Sequence, residues 1–375
     1  MKNFDFSFVF PCLNEAQTIV KCIQIVKEVE REHNLSIEII VADNGSTDGS
    51  QELCRNLDVR VLDVSKRGYG AALDNGIRAA STNYVVIADS DLSYDIKQCN
   101  EFVETLKVTN SDLIMGNRFR GKIYPKAMPW HHKYFGNPVL SFIGRRLFGV
   151  NIGDFHCGMR AINRNSYIVA DLKTSGMEFA TEMIVKFSAH NFKITEIPTS
   201  LFKDGRDRKP HLRSFHDGWR HLRMMILFSP HKFFLWPSFI IMALPTLLIL
   251  IEVFNNLKIT QVNLDEKTLG FSAFGLILGV ALFCIGCLNI AVAKAKRFGE
   301  YRYSVIEFSR IREIVAIFFP LLLMLVGIFG FIKFELLPLH TVQILPFYFS
   351  FIEFSVGAEL LVTALAIRAI LSDFW

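Results

Sequence analysis

The chain offers no disulfide framework. Its 375 residues hold seven cysteines, scattered along the sequence, and the closely spaced even set that staples small secreted domains is missing. Only Cys284 and Cys287 sit close together. They lie inside an apolar stretch with no second ligand pair, so they read as small packing residues rather than a zinc site. Charge of one sign is scarce too. A formal net charge of +5 is too small for the basic footprint of a nucleic-acid binder, so no nucleic acid is expected as a partner. The start, Met1-Lys2-Asn3-Phe4-Asp5, has no apolar run of signal-peptide type. The expectation is therefore a globular part that stays in the cytoplasm, where its five cysteines remain reduced.

Apolar residues are abundant. They make up 51% of the chain and give a mean hydropathy of +0.30, too apolar for an ordinary soluble enzyme. The excess is uneven. Residues 1 to about 232 read as a mixed globular domain. Four apolar stretches follow, centred near Ile241, Leu278, Leu323 and Val356, each long enough to cross a hydrocarbon core of roughly 30 Å. The expected spans are about 233–254, 269–293, 314–332 and 344–371. Between them, residues 213–232 place Phe215, Trp219, Leu222, Met225 and Ile226 at helical spacing among Arg213, Arg220, His221 and Arg223. That pattern reads as an interfacial amphipathic helix.

The first 212 residues alternate strand and helix. Phe6–Phe10 reads as a strand ended by Pro11, and Asn14 to Thr18 as the start of a helix running to about Glu32. Ile37–Ala42 is the next strand. Asp43-Asn44-Gly45-Ser46-Thr47-Asp48-Gly49 is a polar turn in which Ser46 or Asp48 caps the following helix. Val59–Leu62 is a short strand, and Lys66-Arg67-Gly68-Tyr69-Gly70 leads into a helix over 71–81. The strand Tyr84–Ala88 then runs into Asp89-Ser90-Asp91. Such alternation implies a mostly parallel α/β sheet with right-handed crossovers. Ligands bind beyond the carboxyl ends of the strands in such sheets. Three polar clusters, at residues 11–15, 43–45 and 89–91, fall there. An Asp-x-Asp pair continuing a strand places both carboxylates on one side of the pleat, where they can hold a hard divalent cation with phosphate oxygens completing its shell.

These motifs, Pro11-Cys12-Leu13-Asn14-Glu15, Asp43 to Gly49 and Ala88-Asp89-Ser90-Asp91-Leu92-Ser93, resemble the nucleotide-sugar domain of family 2 glycosyltransferases, which implies the Rossmann-like GT-A fold over residues 1–212. Gly116-Asn117-Arg118-Phe119, Asp154-Phe155-His156-Cys157-Gly158-Met159-Arg160 and Glu178 to Met183 resemble the polyprenyl-phosphate branch, typified by dolichyl-phosphate mannose synthase. The resemblance covers about residues 6–225 and implies an enzyme. Its expected reaction is inverting transfer of a hexose from a UDP- or GDP-sugar to a polyprenyl phosphate at the cytoplasmic membrane face. For the donor it implies Pro11, Leu13, Glu15, Asp43, Asn44, Gly68 and Asp89. Mg²⁺ or Mn²⁺ is expected on Asp89 and Asp91, with Ser93 where some relatives carry glutamine. Asp89, Asp91 and Arg118 are the expected catalytic residues.

A lipid monophosphate has a second pKa near 6, so its oxygen is already anionic and needs cations to position it more than a base. The candidates are Arg118, His132, Lys133, Arg206 and Arg208. Glu182 lies in a helical pattern and reads equally as a paired core residue. A nucleotide-binding scaffold or flippase-associated protein without transfer is the alternative class. A processive polysaccharide synthase is disfavoured because no Gln-x-x-Arg-Trp-like element follows the aspartates. Whether the protein is a homo-oligomer stays open.

Charge orients the spans. Lys294, Lys296, Arg297, Arg302, Arg310 and Arg312 fall between the second and third. The loop after the first has Lys258 and Lys267 against Asp265 and Glu266, and the loop after the third has Lys333 and Glu335. The positive-inside rule then puts the middle loop, the globular domain and both termini in the cytoplasm.

Overall fold

The computed structural model describes residues 4–206, 214–256, 264, 266–295, 325 and 351–363. The chain divides into two compact units, Met1–Met225 and Ile226–Trp375.

The first unit is built on seven strands: β1 (Phe6–Cys12), β2 (Ile37–Asp43), β3 (Arg60–Asp63), β4 (Tyr84–Ile87), β5 (Leu113–Asn117), β6 (Arg160–Asn163) and β7 (Ile194–Pro198). They form one sheet in the order β3-β2-β1-β4-β6-β5-β7. The pairs β1–β2, β1–β4, β2–β3 and β5–β7 are parallel, and β6 runs antiparallel to both β4 and β5. The mostly parallel α/β sheet implied by the sequence is therefore present, with one reversed strand.

Helices cover both faces: α1 (Ile19–Glu32), α2 (Ser50–Arg55), α3 (Tyr69–Ala79), α4 (Cys99–Val108), α5 (Asn137–Phe148), α6 (Arg164–Ala170), α7 (Phe179–Ala189) and α8 (Ser214–Phe228). Every residue of β1 and β2 is buried, as expected where a parallel strand is covered on both sides. Period two sorts the side chains. Phe6, Phe8 and Phe10 join Ile19, Ile23 and Val26 of α1 in one cluster. Val9 joins Leu73 and Ile77 of α3 in the other.

Three local expectations are corrected. Pro11 does not end the first strand, which continues to Cys12. The β4 partner reaches only Val9, so proline's missing N–H lies past the shared ladder. The first helix starts at Ile19 rather than near Asn14. Asn14 takes a left-handed φ of 58°, and its segment instead docks on the second loop. Asn14 N–H donates to Ser46 Oγ at 2.8 Å, and Asn14 Oδ1 accepts from Thr47 N–H at 2.7 Å. Finally, Ser46 is not a helix cap. It bonds Asp43 and Asn14, while Asp48 accepts from Ser50 N–H at 3.0 Å and Ala16 N–H at 2.9 Å, fastening the loops together.

In α8 the apolar residues divide. Met225 is fully buried in the core of the first unit, whereas Trp219 is exposed. The lipid-facing expectation thus fails for Met225, because the helix packs that side on the domain.

The second unit holds α9 (Trp236–Asn256) and α10 (Glu266–Ala295). Among the described residues, two stretches are long and apolar enough to cross a membrane, His231–Glu252 and Lys267–Ala291. They correspond to the first two expected spans. The third expected span lies outside the described residues except Leu325, and the fourth is helical over 351–363. The interspan loop charges beyond Ala295 also lie outside them.

Candidate functional site

The exits of β1, β2 and β4 meet at one rim. After β2, Asp43 is 1% exposed and its carboxylate is filled. Oδ2 accepts from Gly45 N–H at 2.9 Å, Ser46 N–H at 3.0 Å and Gln51 Nε2 at 2.5 Å, and Oδ1 accepts from the Ser46 hydroxyl at 2.5 Å. Burial alone would raise its pKa, but the bonds from Ser46, Gln51 and Gly45 outweigh that and hold it below the usual range. Asn44 is tied likewise. Its Nδ2 donates to Val64 O and Lys66 O at 3.1 and 2.8 Å, and its Oδ1 accepts from Gly68 N–H at 2.7 Å. These residues build the loop, so a ligand finds few free donors on Asn44. Gly68 has a φ of 130°, and a Cβ there would come 2.0 Å from Ser175 O. The position requires glycine on both counts.

The Asp-x-Asp pair does not lie on a pleat. β4 ends at Ile87, and Ser90 Oγ donates to Pro11 O at 2.7 Å, turning the chain toward the neighbouring loop. The carboxylates approach through that turn. Asp89 Oδ1 accepts from the Tyr69 hydroxyl at 2.8 Å. A Cβ on Gly158 would lie 2.8 Å from Asp89 Oδ2, so glycine there admits the carboxylate. Burial and the nearby Asp91 push Asp89 up to about 7, against the opposing pull of Tyr69, Arg206 and Arg118. Asp91 is oriented by Ser93, whose N–H and hydroxyl donate to Oδ1 at 3.0 and 2.5 Å. Ser93 thus holds Asp91 in place, with its hydroxyl proton directed there.

Arg206 sits on the same rim. Its guanidinium lies 3.0 Å from Glu15 Oε1, 2.8 Å from Asp91 Oδ2 and 2.5 Å from Asp204 Oδ2. Burial would lower its pKa, but Asp204, Asp91 and Glu15 raise it overall. The expectation places Arg206 at the acceptor phosphate; in this structure it pairs with Glu15, Asp91 and Asp204. Arg208 lies outside the described residues.

A cavity of about 200 Å³ opens beside Asp89. Arg118, His132, His156, Arg160 and His221 line it with Tyr69 and Tyr94, over an apolar wall that includes Leu140 and Phe179. The reversed strand explains the grouping. Arg160, the first residue of β6, pairs with Ile87 at the end of β4, so residues 154–158 arrive at the rim as β6 enters. Arg118 grips Asp154 through Nε at 2.6 Å and Nη2 at 2.8 Å. Burial opposes its charge, but Asp154 raises its pKa well above the ordinary value. His132 lines the cavity. Lys133 does not, standing over the Tyr134 ring at 5.4 Å. Pro11 is buried at the end of β1 and Leu13 is partly buried just beyond it.

The sequence assigned no role to Tyr69, His156 or Arg160, and it read His221 as a headgroup-facing cation of the interfacial helix rather than a cavity residue. Tyr69 lay between two glycines already singled out, and His156 and Arg160 inside a motif already quoted. It also missed an apolar surface: Trp130, Tyr134, Phe135, Val139 and Phe142 are exposed on the segment that carries His132. Their spacing of four, one, four and three residues was a legible helical signal. Glu182, by contrast, is fully buried. It accepts from Lys173 N–H and Thr174 N–H at 2.9 and 2.8 Å and pairs with Lys186 at 3.3 Å. It anchors the core.

Residues 7–169 match the family model described as glycosyl transferase family 2. The chain is 34% identical over 233 residues to the low-salt glycan biosynthesis hexosyltransferase Agl6 of Haloferax volcanii, covering 62% of this chain and 56% of that protein. It is 29% identical over 200 residues to glycosyltransferase AglJ of the same organism, covering 52% of this chain and 63% of that protein. The chain thus spans less than two thirds of the length of these relatives. Among solved structures, glucosyl-3-phosphoglycerate synthase from Mycobacterium tuberculosis, crystallised with Mn²⁺, UDP and glucosyl-3-phosphoglycerate, is 19% identical. It covers 60% of this chain and 78% of that one at a TM-score of 0.45.

Proposed function

We propose that this chain, whose residues 7–169 are a family 2 glycosyltransferase domain, transfers a hexose from a nucleoside-diphosphate sugar to a polyprenyl phosphate with inversion. One observation carries the acceptor. The segment that places His132 in the cavity beside Arg118 also exposes Trp130, Tyr134 and Phe135. A polar cavity suited to an anion therefore adjoins an apolar face suited to a lipid chain. The two apolar helices of the second unit support the same reading. On it, the protein is integral to the membrane, with the catalytic unit and both termini cytoplasmic.

The donor side fits a metal. Asp89 is a partly buried carboxylate that accepts a hydrogen bond from the Tyr69 phenol, and burial with the neighbouring Asp91 raises its pKa, as a cation between the two would relieve. Among the described residues no cluster of three or more acidic, histidine or cysteine side chains is found. The Asp89 and Asp91 pair suits Mg²⁺ or Mn²⁺, which take one or two carboxylates and complete the shell with phosphate and water. Asp89 and Asp91 would hold the ion, which when bound neutralises the leaving diphosphate. Glu15 would accept from the base or ribose. Asp43 shapes the loop on which they stand. On the acceptor side, Arg118 and His132 orient the phosphate so that its oxygen faces the anomeric carbon. Attack forms the new C–O bond as the diphosphate leaves, and no enzyme nucleophile is required.

The test is transfer from radiolabelled UDP- and GDP-sugars to polyprenyl phosphate by the purified full chain. A lipid-soluble product that releases sugar in mild acid supports the reading. Labelled sugar on a hydroxyl acceptor alone would replace it.

A further inference from the structure

Among the described residues, His156 is the one whose two ring nitrogens are both buried and both without a hydrogen-bond partner. Imidazole carries a donor and an acceptor, and buried polar atoms are normally satisfied by protein, water or ligand. The ring is held in place. It packs on the His221 ring with centroids 4.5 Å apart, and His221 Nδ1 shares a hydrogen bond of 2.7 Å with Thr181 Oγ1. Both histidines line the cavity next to Asp89 and Arg118.

The charge around His156 is lopsided. Arg118 is matched by Asp154. Arg160, 1% exposed, donates to the carbonyls of Cys157, Ala180 and Phe155 at 3.0, 2.9 and 3.2 Å and lies 3.5 Å from Met183 Sδ. Among the described residues no carboxylate bonds Arg160, and Asp154, which acts on it from a distance, is already paired with Arg118, so a buried guanidinium lines the cavity without an ion-pair partner of its own. A buried charge of this kind calls for an opposite one.

Building on the acceptor reading above, we infer that His156 is a binding residue for the acceptor, donating a hydrogen bond to its phosphate, with the Arg160 charge favouring the anion from behind. Burial, His221 and Arg118 hold the His156 pKa well below its usual value, so the ring is neutral before the acceptor enters. A neutral donor fixes one phosphate oxygen without pairing its full charge, leaving another oxygen to attack.

The experiment uses the full-length protein in detergent and citronellyl phosphate, a short prenyl monophosphate, with citronellol as its hydroxyl counterpart. Binding is measured by calorimetry for wild type, His156→Phe and His156→Gln, and transfer is measured in parallel. The expected result is a loss of about tenfold or more in citronellyl phosphate affinity for His156→Phe, the scale of a hydrogen bond to a charged group. UDP and GDP affinity should be unchanged, and His156→Gln, which retains an N–H donor, should recover to within about threefold. If His156→Phe fails to fold, His156→Asn and His156→Gln decide between the two nitrogens, since asparagine reaches only as far as Nδ1. Wild-type affinity in a folded His156→Phe protein overturns the inference. So does a collapse of kcat at unchanged acceptor affinity with a lost limb of the pH profile, which would make the ring a general base for a hydroxyl. Should the wild type bind citronellyl phosphate through His156 yet transfer no sugar to any prenyl phosphate, the transfer reading fails and the binding assignment stands.

Discussion

Arg206 Nη2 lies 2.8 Å from Asp91 Oδ2, so the second carboxylate of the Asp-x-Asp turn already has a cation of the protein's own. The same guanidinium holds Glu15. A divalent ion entering at Asp91 therefore competes with Arg206. Arg206→Ala should lower stability in metal-free buffer by about 1–3 kcal/mol, the cost of leaving partly buried carboxylates unpaired. Mn²⁺ should then stabilise the variant more than it stabilises the wild type. Thermal unfolding with EDTA and with Mn²⁺ measures both effects. An equal Mn²⁺ shift in the two proteins would show that Arg206 and the ion do not compete.

Asp89 should make the metal-free protein weaker at alkaline pH. Its folded pKa, about 7, lies above the unfolded value near 4, so the folded state favours the protonated form. That contribution is complete below pH about 4 and is lost as pH rises toward and through about 7. Asp89→Asn keeps the shape without the titration. Between pH 5.5 and 8 in EDTA, the wild type should lose more stability than Asp89→Asn. Parallel melting curves for the two proteins would contradict the assignment.

Arg118 should prove sensitive to its partner. Its bidentate bond to fully buried Asp154 means Arg118→Ala leaves a buried carboxylate with only the backbone N–H groups of residues 118 and 156 and no cation, a change of about 3–5 kcal/mol. The alanine variant therefore confounds activity with folding. Arg118→Lys keeps the charge and loses the fork. It should remain folded by circular dichroism while transfer falls by about tenfold or more.

The exposed aromatic surface should matter in proportion to acceptor length. Trp130→Ser and Phe135→Ser should raise KM for a long polyprenyl phosphate and leave KM for citronellyl phosphate unchanged. An equal rise for both acceptors would assign these rings to the cavity rather than to the lipid chain.

Asp91→Ala should abolish most turnover in a folded protein, and full activity of this variant in excess EDTA would remove both the ion and its holder. Labelling of cysteines placed in an otherwise cysteine-free chain tests topology. Position 263 should react from outside and position 302 from the cytoplasm.

Much of the rim at the strand exits was legible in the sequence. Asp43, Asp89 and Glu15 announced themselves at the ends of apolar runs, because strand periodicity and turn chemistry are local. What was illegible came from distance along the chain. Nothing near Arg206 indicates a partner 191 residues away at Glu15, and the motif at 154–160 gives no sign that β6 runs backwards. His221 reads as a cation of an amphipathic helix until tertiary packing turns it onto Thr181. Asn44 looked like a ligand because its side chain is polar, and the loop consumed that polarity.

On the proposed reading, the direction of β6 separates the two halves of the reaction. Glu15 and Asp89 follow strands out of the sheet and Asp43 ends one, whereas Asp154, His156 and Gly158 precede a strand on its way in. A substitution in 154–158 can therefore reshape one substrate's seat while the strand exits that hold the other stay fixed. If the proposed sites are right, acceptor preference and donor preference are written on separate stretches of chain, and each could drift or be engineered without rewriting the other.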